Sequence, residues 1–195
     1  MSELTISQGF DDSERAQVAQ MYWVAFGQKL GRVMGPKRRA IGFIQEVLDP
    51  THALCARDTD GTLLGVVGFK TFASALVGGT WRDLARHYGW IGSTWRIGFL
   101  ALLNRDAENV CFLMDGIFVS DGARGQGVGT ALLHAICIEA KSRGYSEVRL
   151  DVIDSNPRAR ALYDREGFVA GGTHKLGPLK HIFGFDSATT MIRGL

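Results

Sequence analysis

A glycine-rich turn between an apolar run and an amphipathic segment is the strongest constraint on the fold of this 195-residue chain. Residues 110–119 are almost continuously apolar, which is typical of a central strand covered on both faces. Residues 124–129 read Arg-Gly-Gln-Gly-Val-Gly, and residues 127–143 carry apolar side chains at helical spacing. A helix that begins there presents unpaired amides at the positive end of its dipole, beside glycines that let an anion approach the backbone. The turn is therefore predicted to bind an anion, with a charge-assisted contact from Arg124.

Other uses of a glycine-rich turn fit this sequence less well. A P-loop ends in Gly-Lys-Ser or Gly-Lys-Thr, whereas Gly129 is followed directly by Thr130. A dinucleotide fingerprint requires glycine where Thr130 stands, and Asp151 and Asp154 near the next strand offer no convincing ribose context. A tight turn without a ligand stays open as the plain alternative, although three glycines are more than a turn needs.

The remaining pattern predicts a single domain, residues 1–195, of the α/β (α+β) class. Helices are expected at 11–26, capped by Asp12 or Ser13, and at 36–48. Asp60-Gly61 predicts a hairpin turn. The expected strands other than 110–119 are 4–7, 52–57, 62–70, 147–153, 168–170 and 188–193. Residues 71–109 are read as a helical insertion with two short helices, and residues 156–166 as a further helix.

Composition excludes several classes of protein. The formal net charge is only +2, which gives no electrostatic case for nucleic-acid binding. Three cysteines inside apolar runs indicate reduced core thiols, with neither a disulfide framework nor metal-ligand spacing. The longest apolar run is far shorter than the ~20 residues of a membrane-spanning helix. The N-terminus has no signal-type apolar core, so the cytoplasm is the expected compartment.

A second motif lies downstream of the turn. Residues 156–168 read Asn-Pro-Arg-Ala-Arg-Ala-Leu-Tyr-Asp-Arg-Glu-Gly-Phe. Together, this run and the glycine-rich turn resemble the paired motifs of the GNAT superfamily of N-acetyltransferases, over residues 113–168. The resemblance implies a mixed central sheet, flanked by helices, whose parallel central strands 110–119 and 147–153 splay apart. It further implies acetyl-CoA as cosubstrate and transfer of the acetyl group to a primary amine of a small molecule or peptide.

The resemblance also assigns roles to individual residues. Main-chain groups of the central strand would pair with the pantetheine arm and polarise the thioester carbonyl. Tyr163 would lie near the sulfur and protonate the leaving thiolate; alternatively, it only packs beside Leu162 and Phe168. Asn156, followed by proline, can equally be a helix cap. The implied cofactor-binding set is Ile117, Phe118, Val119, Arg124, Gly125, Gln126, Gly127, Val128, Gly129, Thr130, Asn156 and Tyr163.

Asp115 is the leading candidate for the base, or for the group that orients the amine. It interrupts an apolar strand, and burying a carboxylate costs free energy unless something uses or pairs it. Desolvation would raise its pKa, and Gly116 permits a bulge that opens the strand. The competing reading is an ion pair with Arg149 that only holds the sheet. Three histidines are weaker candidates for the base: His52, His134 and His181.

The acceptor side is expected to form from the first two helices and the insertion. Three of the four tryptophans lie in that insertion and favour packing or a homodimer interface over substrate contact. Cys111 and Cys137 are poorly placed to act as covalent nucleophiles, which favours direct transfer. The alternative function is a non-catalytic acyl-CoA sensor or scaffold module. The acceptor-side residues are Tyr22, Trp23, Phe26, Lys29 and Arg38.

Overall fold

A seven-stranded mixed sheet organises the chain. Its strands are β1 (Thr5–Gln8), β2 (Ala53–Arg57), β3 (Leu63–Lys70), β4 (Phe112–Val119), β5 (Glu147–Ile153), β6 (Val169–Lys175) and β7 (Ser187–Gly194). They lie in the order β1-β2-β3-β4-β5-β7-β6. The computed structural model describes residues 4–71, 74–103 and 111–195, and for residues 28, 29 and 99–103 the backbone alone. Among the described pairs only β4 and β5 are parallel.

Helices cover both faces of this sheet, which confirms the predicted class. Three helices and the core around Phe43 and Phe118 lie on one face. The other face carries α4, whose Leu132, Leu133 and Ile136 are fully buried. Burying each of these side chains contributes about 1.5–3 kcal/mol. The helices are α1 (Arg15–Met34), α2 (Lys37–Val47), α3 (Trp81–Leu103), α4 (Val128–Ser142), α5 (Pro157–Arg165) and α6 (Lys180–Phe183).

The first helix differs from its predicted bounds. It continues beyond Phe26 to Met34, because burial of Val33 and Met34 offsets the roughly 1 kcal/mol that a glycine costs inside a helix. Neither Asp12 nor Ser13 caps it. Its N-cap position is Glu14, which makes no side-chain capping bond, while the Asp12 carboxylate accepts a hydrogen bond from Arg15 Nε at 3.1 Å.

Two short helices were predicted in the insertion, and α3 does consist of two helical segments separated by a break. Gly89, at φ 70° and ψ 170°, interrupts α3, a conformation that favours glycine. The indole rings of Trp81 and Trp90 meet edge to face across this break, with centroids 5.0 Å apart. Residues 104–110 of the predicted insertion and strand lie outside the described residues.

The sixth strand, β6, is longer than the sequence predicted. β6 runs from Val169 to Lys175 rather than over 168–170, and every one of its residues is exposed. Gly171 and Gly172 remove the alternation that marks a strand, so only pairing with β7 defines this edge. None of the described helices is both long and apolar enough to cross a membrane.

Candidate active site

The two parallel central strands separate almost immediately after they meet. β4 and β5 pair at Phe112–Val148 and Leu113–Arg149, and the described ladder between them stops there. From Met114 to Val119, β4 pairs only with β3 on its other side. This confirms the splayed sheet and leaves a main-chain edge of β4 facing the gap.

A β-bulge lies where the strands part. Gly68 pairs with Gly116 and Phe69 with Met114, so Asp115 is the extra residue. A Cβ at Gly116 would fall inside the contact distance of the Phe26 ring, which therefore lies directly over the bulge. The predicted bulge at Gly116 is thus present, and glycine is required there by this close approach.

The glycine-rich turn presents its amides outward. Gly125 and Gly127 have φ values of 80° and 85°, and a Cβ on either would meet no atom within 4 Å. The first hydrogen bond of α4 runs from the Ala131 amide to the Gly127 carbonyl oxygen at 3.0 Å. Across the described part of the chain, no acceptor caps the amides of residues 125–130. Open amides at the N-terminus of a 15-residue helix suit an anion such as a diphosphate.

The side chains of this turn are held by the protein itself: Arg124 by an ion pair, Gln126 by a backbone hydrogen bond and Val128 by burial. Arg124 is half-exposed, and its Nη2 pairs with Asp121 at 2.7 Å. The Gln126 amide turns back to donate to the Gly122 carbonyl oxygen, and Val128 is buried in the core. Of the implied cofactor-binding residues, only Gln126 and Val128 do not line the cavity described below.

The Thr130 side chain makes its hydrogen bond within the protein. Its hydroxyl donates to Glu166 Oε1 at 2.9 Å, and Glu166 Oε2 pairs with His134 at 2.9 Å. This contact ties the start of α4 to the end of α5. The Thr130 amide, rather than its hydroxyl, is the group available to a ligand.

Tyr163 is almost completely buried in α5, with its ring 5.9 Å from that of Phe168. Burial raises the pKa of Tyr163 above the ordinary value of 10, so the phenol stays protonated at neutral pH. The side chain lines the cavity, and none of the hydrogen bonds found among the described residues involves its hydroxyl. A protonated hydroxyl facing a cavity is suited to donate a proton.

Asn156 has the structural role that its sequence context suggested. Its Oδ1 accepts a hydrogen bond from the Ala159 amide at 3.1 Å, and Pro157 occupies the first turn of α5. This is a side-chain N-cap. Asn156 also lines the cavity, so the cap and a ligand contact are compatible.

One continuous cavity of about 1450 Å³ connects these features. It extends from the turn at Arg124–Gly125 through the gap between β4 and β5, past Asp115, to the helices on the opposite face. A pocket for one drug-sized ligand occupies about 300–1000 Å³, so this cavity has room for two substrates together.

Tyr22 was expected on the acceptor side, but the sequence did not predict that it lies near Asp115. Its side chain lines the same cavity as Asp115, and its ring meets that of Phe118 edge to face at 5.8 Å. Burial, and then the negative charge of Asp115, raise the pKa of Tyr22 above its usual value. Only the fold brings α1 to this place, so no local signal could have found the contact. Tyr22 and Phe26 line the cavity, whereas Trp23 and Arg38 do not; the Lys29 side chain lies outside the described set.

The other base candidates have local partners. His52 Nδ1 lies 2.9 Å from Asp49 Oδ2, and its Nε2 lies 2.9 Å from the Thr71 hydroxyl. His134 pairs with Glu166, and His181 is exposed. None of these three histidines lines the cavity. Asp115 and Arg149 both line it, so base and ion-pair partner stay as alternative predictions for Asp115.

The cysteines take no part in the cavity. Burial raises the pKa of Cys55 to about 12 and that of Cys137 above its ordinary value. Cys111 is half-buried rather than fully buried as expected, and its thiol donates to Glu147 Oε2 at 3.3 Å. No cluster of His, Cys, Asp and Glu able to hold a metal occurs among the described residues.

Several known proteins share this fold. An N-acetyltransferase from Staphylococcus aureus Mu50 superposes with a TM-score of 0.66 at 14% identity, covering 97% of this chain and 100% of the other. A GCN5-related N-acetyltransferase from Kribbella flavida gives 0.61 at 18% identity, covering 98% of both chains. At these identities the likeness establishes the fold alone.

The sequence comparisons are more specific. A mycothiol acetyltransferase from Beutenbergia cavernae is 41% identical over 56 residues, which are 29% of this chain and 19% of that protein. The chain thus spans about a fifth of the length of this curated relative. The profile of the acetyltransferase (GNAT) family matches residues 15–168 and so covers α1 to α5 together with the turn and the splayed strands. The chain belongs to the GNAT acetyltransferase family.

Proposed function

We propose that this protein transfers an acetyl group from acetyl-CoA directly to a primary amine. One observation supports this above all: a single cavity joins uncapped helix amides, the open edge of β4, a protonated buried tyrosine and a carboxylate. Family membership supports acetyl transfer and the use of acetyl-CoA. The primary amine, which the sequence resemblance implied, is part of the proposal, and the Asp115 carboxylate in the cavity lining supports it.

The residues fit the cosubstrate in two places. The amides of residues 125–130 would bind the diphosphate, with Arg124 adding charge once it leaves Asp121. The free main-chain edge at Ile117, Phe118 and Val119 would pair with the amides of the pantetheine arm. Acetyl-CoA supplies the acetyl group as a thioester, so transfer forms a C–N bond and breaks the C–S bond.

Tyr163 would serve as the general acid. When the C–S bond breaks, the sulfur gains a negative charge and needs a proton. The Tyr163 hydroxyl keeps its proton because burial raises its pKa, and it faces the cavity without a competing acceptor among the described residues. Proton donation at this step would contribute about 100-fold or more to the rate.

Asp115 would hold the amine and accept its proton, directly or through water. The bulge displaces this carboxylate from the ladder at the point where β4 and β5 part. A carboxylate there attracts the ammonium form of the substrate, which must lose a proton before the nitrogen can attack. Tyr22 beside it would contribute a hydroxyl that orients the nitrogen.

The positions of the cysteine thiols support direct transfer of the acetyl group, without a covalent acetyl-enzyme intermediate. All three cysteines lie outside the cavity, and each has a raised pKa with burial as the largest cause, so no thiolate is placed to accept the acetyl group. The reaction would therefore proceed with both substrates bound.

The test is consumption of acetyl-CoA by a panel of primary amines, read as release of free thiol. Turnover with at least one amine is expected. Tight binding of acetyl-CoA without thiol release from any amine would instead support the non-catalytic sensor or scaffold, for which exposed Trp90 and Ile91 on α3 offer a surface. Cytoplasmic location, a single domain and a homodimer stay as predictions.

A further inference from the structure

The acceptor end of the cavity divides sharply into a polar floor and an apolar wall. Among the described residues, the charged side chains that the sheet contributes to the cavity are Lys70, Asp115, Arg149 and Asp151, while the turn and α5 contribute Arg124, Arg158 and Arg165. Asp151 is already engaged, because its Oδ1 accepts from the Thr190 hydroxyl at 2.6 Å and its Oδ2 lies 3.7 Å from Arg149 Nη2. Asp115, at the bulge, is the carboxylate that the proposed function assigns to the amine.

The wall opposite the floor is built from the three helices on that face. Among the described side chains, those that α1, α2 and α3 contribute to the cavity carry no charge. They include Tyr22, Phe26, Met34, Phe43, Leu84 and Ile97.

An aromatic cluster brings this wall down to the bulge. The Tyr22 and Phe26 ring centroids lie 4.7 Å apart, and both rings meet Phe118 edge to face, at 5.8 and 6.2 Å. Because the Phe26 ring lies over Gly116, the apolar surface begins immediately beside Asp115. An acceptor whose nitrogen reaches Asp115 therefore has apolar side chains directly beside it, against which the rest of its chain can pack.

On the basis of the proposed function, we propose that the acceptor is a primary amine carried on an apolar alkyl or arylalkyl chain. Each methylene moved from water to such a wall improves binding about fourfold. A second ammonium group further along the chain would be buried without a carboxylate from the helices, which is costly. Polyamines and other polycationic amines are thereby disfavoured.

Hexylamine and 1,6-diaminohexane make a matched pair of probes, since both have a six-carbon chain and the diamine adds a second ammonium group at its far end. We expect kcat/KM for hexylamine to exceed that for the diamine at least about tenfold, after correction for the two equivalent amines of the diamine. From butylamine to hexylamine, kcat/KM is expected to rise about fourfold per added methylene.

A matched pair of variants on α3 tests the wall itself. Ile97 lines the cavity, whereas Ile91 on the same helix is 90% exposed and does not. Ile97→Glu places a carboxylate in the wall and is expected to shift the hexylamine-to-diamine ratio at least fivefold toward the diamine. Ile91→Glu should leave the ratio unchanged.

The possible outcomes separate this inference from the proposed function. Preference for 1,6-diaminohexane or spermidine over hexylamine would overturn the apolar acceptor while leaving acetyl transfer to amines intact. The same holds if Ile91→Glu shifts the ratio as much as Ile97→Glu. Absence of thiol release with every amine would overturn both.

Discussion

Tyr163 tests the proposed chemistry at the scale of a single residue. Replacement by phenylalanine removes the hydroxyl and keeps the ring against Phe168. We expect Tyr163→Phe to lower kcat about 100-fold, with the Kd for acetyl-CoA changed by less than about twofold. Tyr145→Phe is the matched control, since Tyr145 packs against Phe112 outside the cavity. Equal loss of affinity and kcat would show that Tyr163 binds the cosubstrate instead of donating a proton.

Gly116 carries a packing prediction at the same scale. Its missing Cβ makes room for Phe26, so Gly116→Ala must displace that ring. We expect a loss of about 1–3 kcal/mol in the free energy of unfolding, measured with urea. Gly98→Ala serves as control: it meets nothing within 4 Å in α3 and should be neutral or stabilising. Unchanged stability in Gly116→Ala would contradict the packing of Phe26 over the bulge.

At the scale of the element, α5 depends on its cap. Asn156→Ala removes the hydrogen bond to the Ala159 amide and should cost about 1 kcal/mol of stability. Asn156→Asp keeps a cap but adds a negative charge to the cavity lining. We expect it to retain stability while weakening acetyl-CoA binding measured by calorimetry. If Asn156→Asp binds acetyl-CoA as tightly as the unaltered protein, the role of Asn156 is the cap alone.

The start of α1 is anchored to β2 by an ion pair that makes stability depend on pH. Arg57 donates to both oxygens of Glu14, at 3.1 and 2.7 Å, and these hydrogen bonds lower the pKa of Glu14 below its ordinary 4.5. A lowered pKa in the folded state means that the stabilisation is fully present above about pH 4.5 and is lost as pH falls through the lowered value.

Glu14→Gln isolates this contribution. We expect the variant to be about 2 kcal/mol less stable near pH 7 and to lose less stability between pH 5 and 3 than the unaltered protein does. Urea unfolding at a series of pH values measures both. Parallel pH profiles for the two proteins would show that Glu14 does not contribute to the acid sensitivity.

At the scale of the whole molecule, sequence pattern predicted most elements because their signals are local. Neighbouring residues alone define three of these features: the apolar run that ends at Val119, the end of α4 at Gly144 (φ 82°) and the hairpin at Gly61. The extension of α1 and the length of β6 were missed, because each depends on a partner distant in sequence: α6 for Val33 and β7 for Gly172.

In the candidate site, too, the features with local sequence signals were predicted and the contacts between distant elements were not. The open turn amides, the bulge at Gly116 and the packing of Tyr163 beside Phe168 agree with the sequence prediction, since each follows from a motif or an interrupted pattern. The sequence could not show that the Thr130 hydroxyl bonds to Glu166 or that Phe26 covers Gly116. Those contacts join elements that only the folded sheet brings together.

The central claim is that uncapped amides at residues 125–130 bind a diphosphate at the mouth of the splayed strands. Calorimetric titration with acetyl-CoA and with S-acetylpantetheine, which lacks the diphosphate, tests it most directly. Two or more charge-assisted hydrogen bonds from amides should make acetyl-CoA bind at least about 100-fold more tightly than the truncated thioester. Equal affinities for the two ligands would contradict the account.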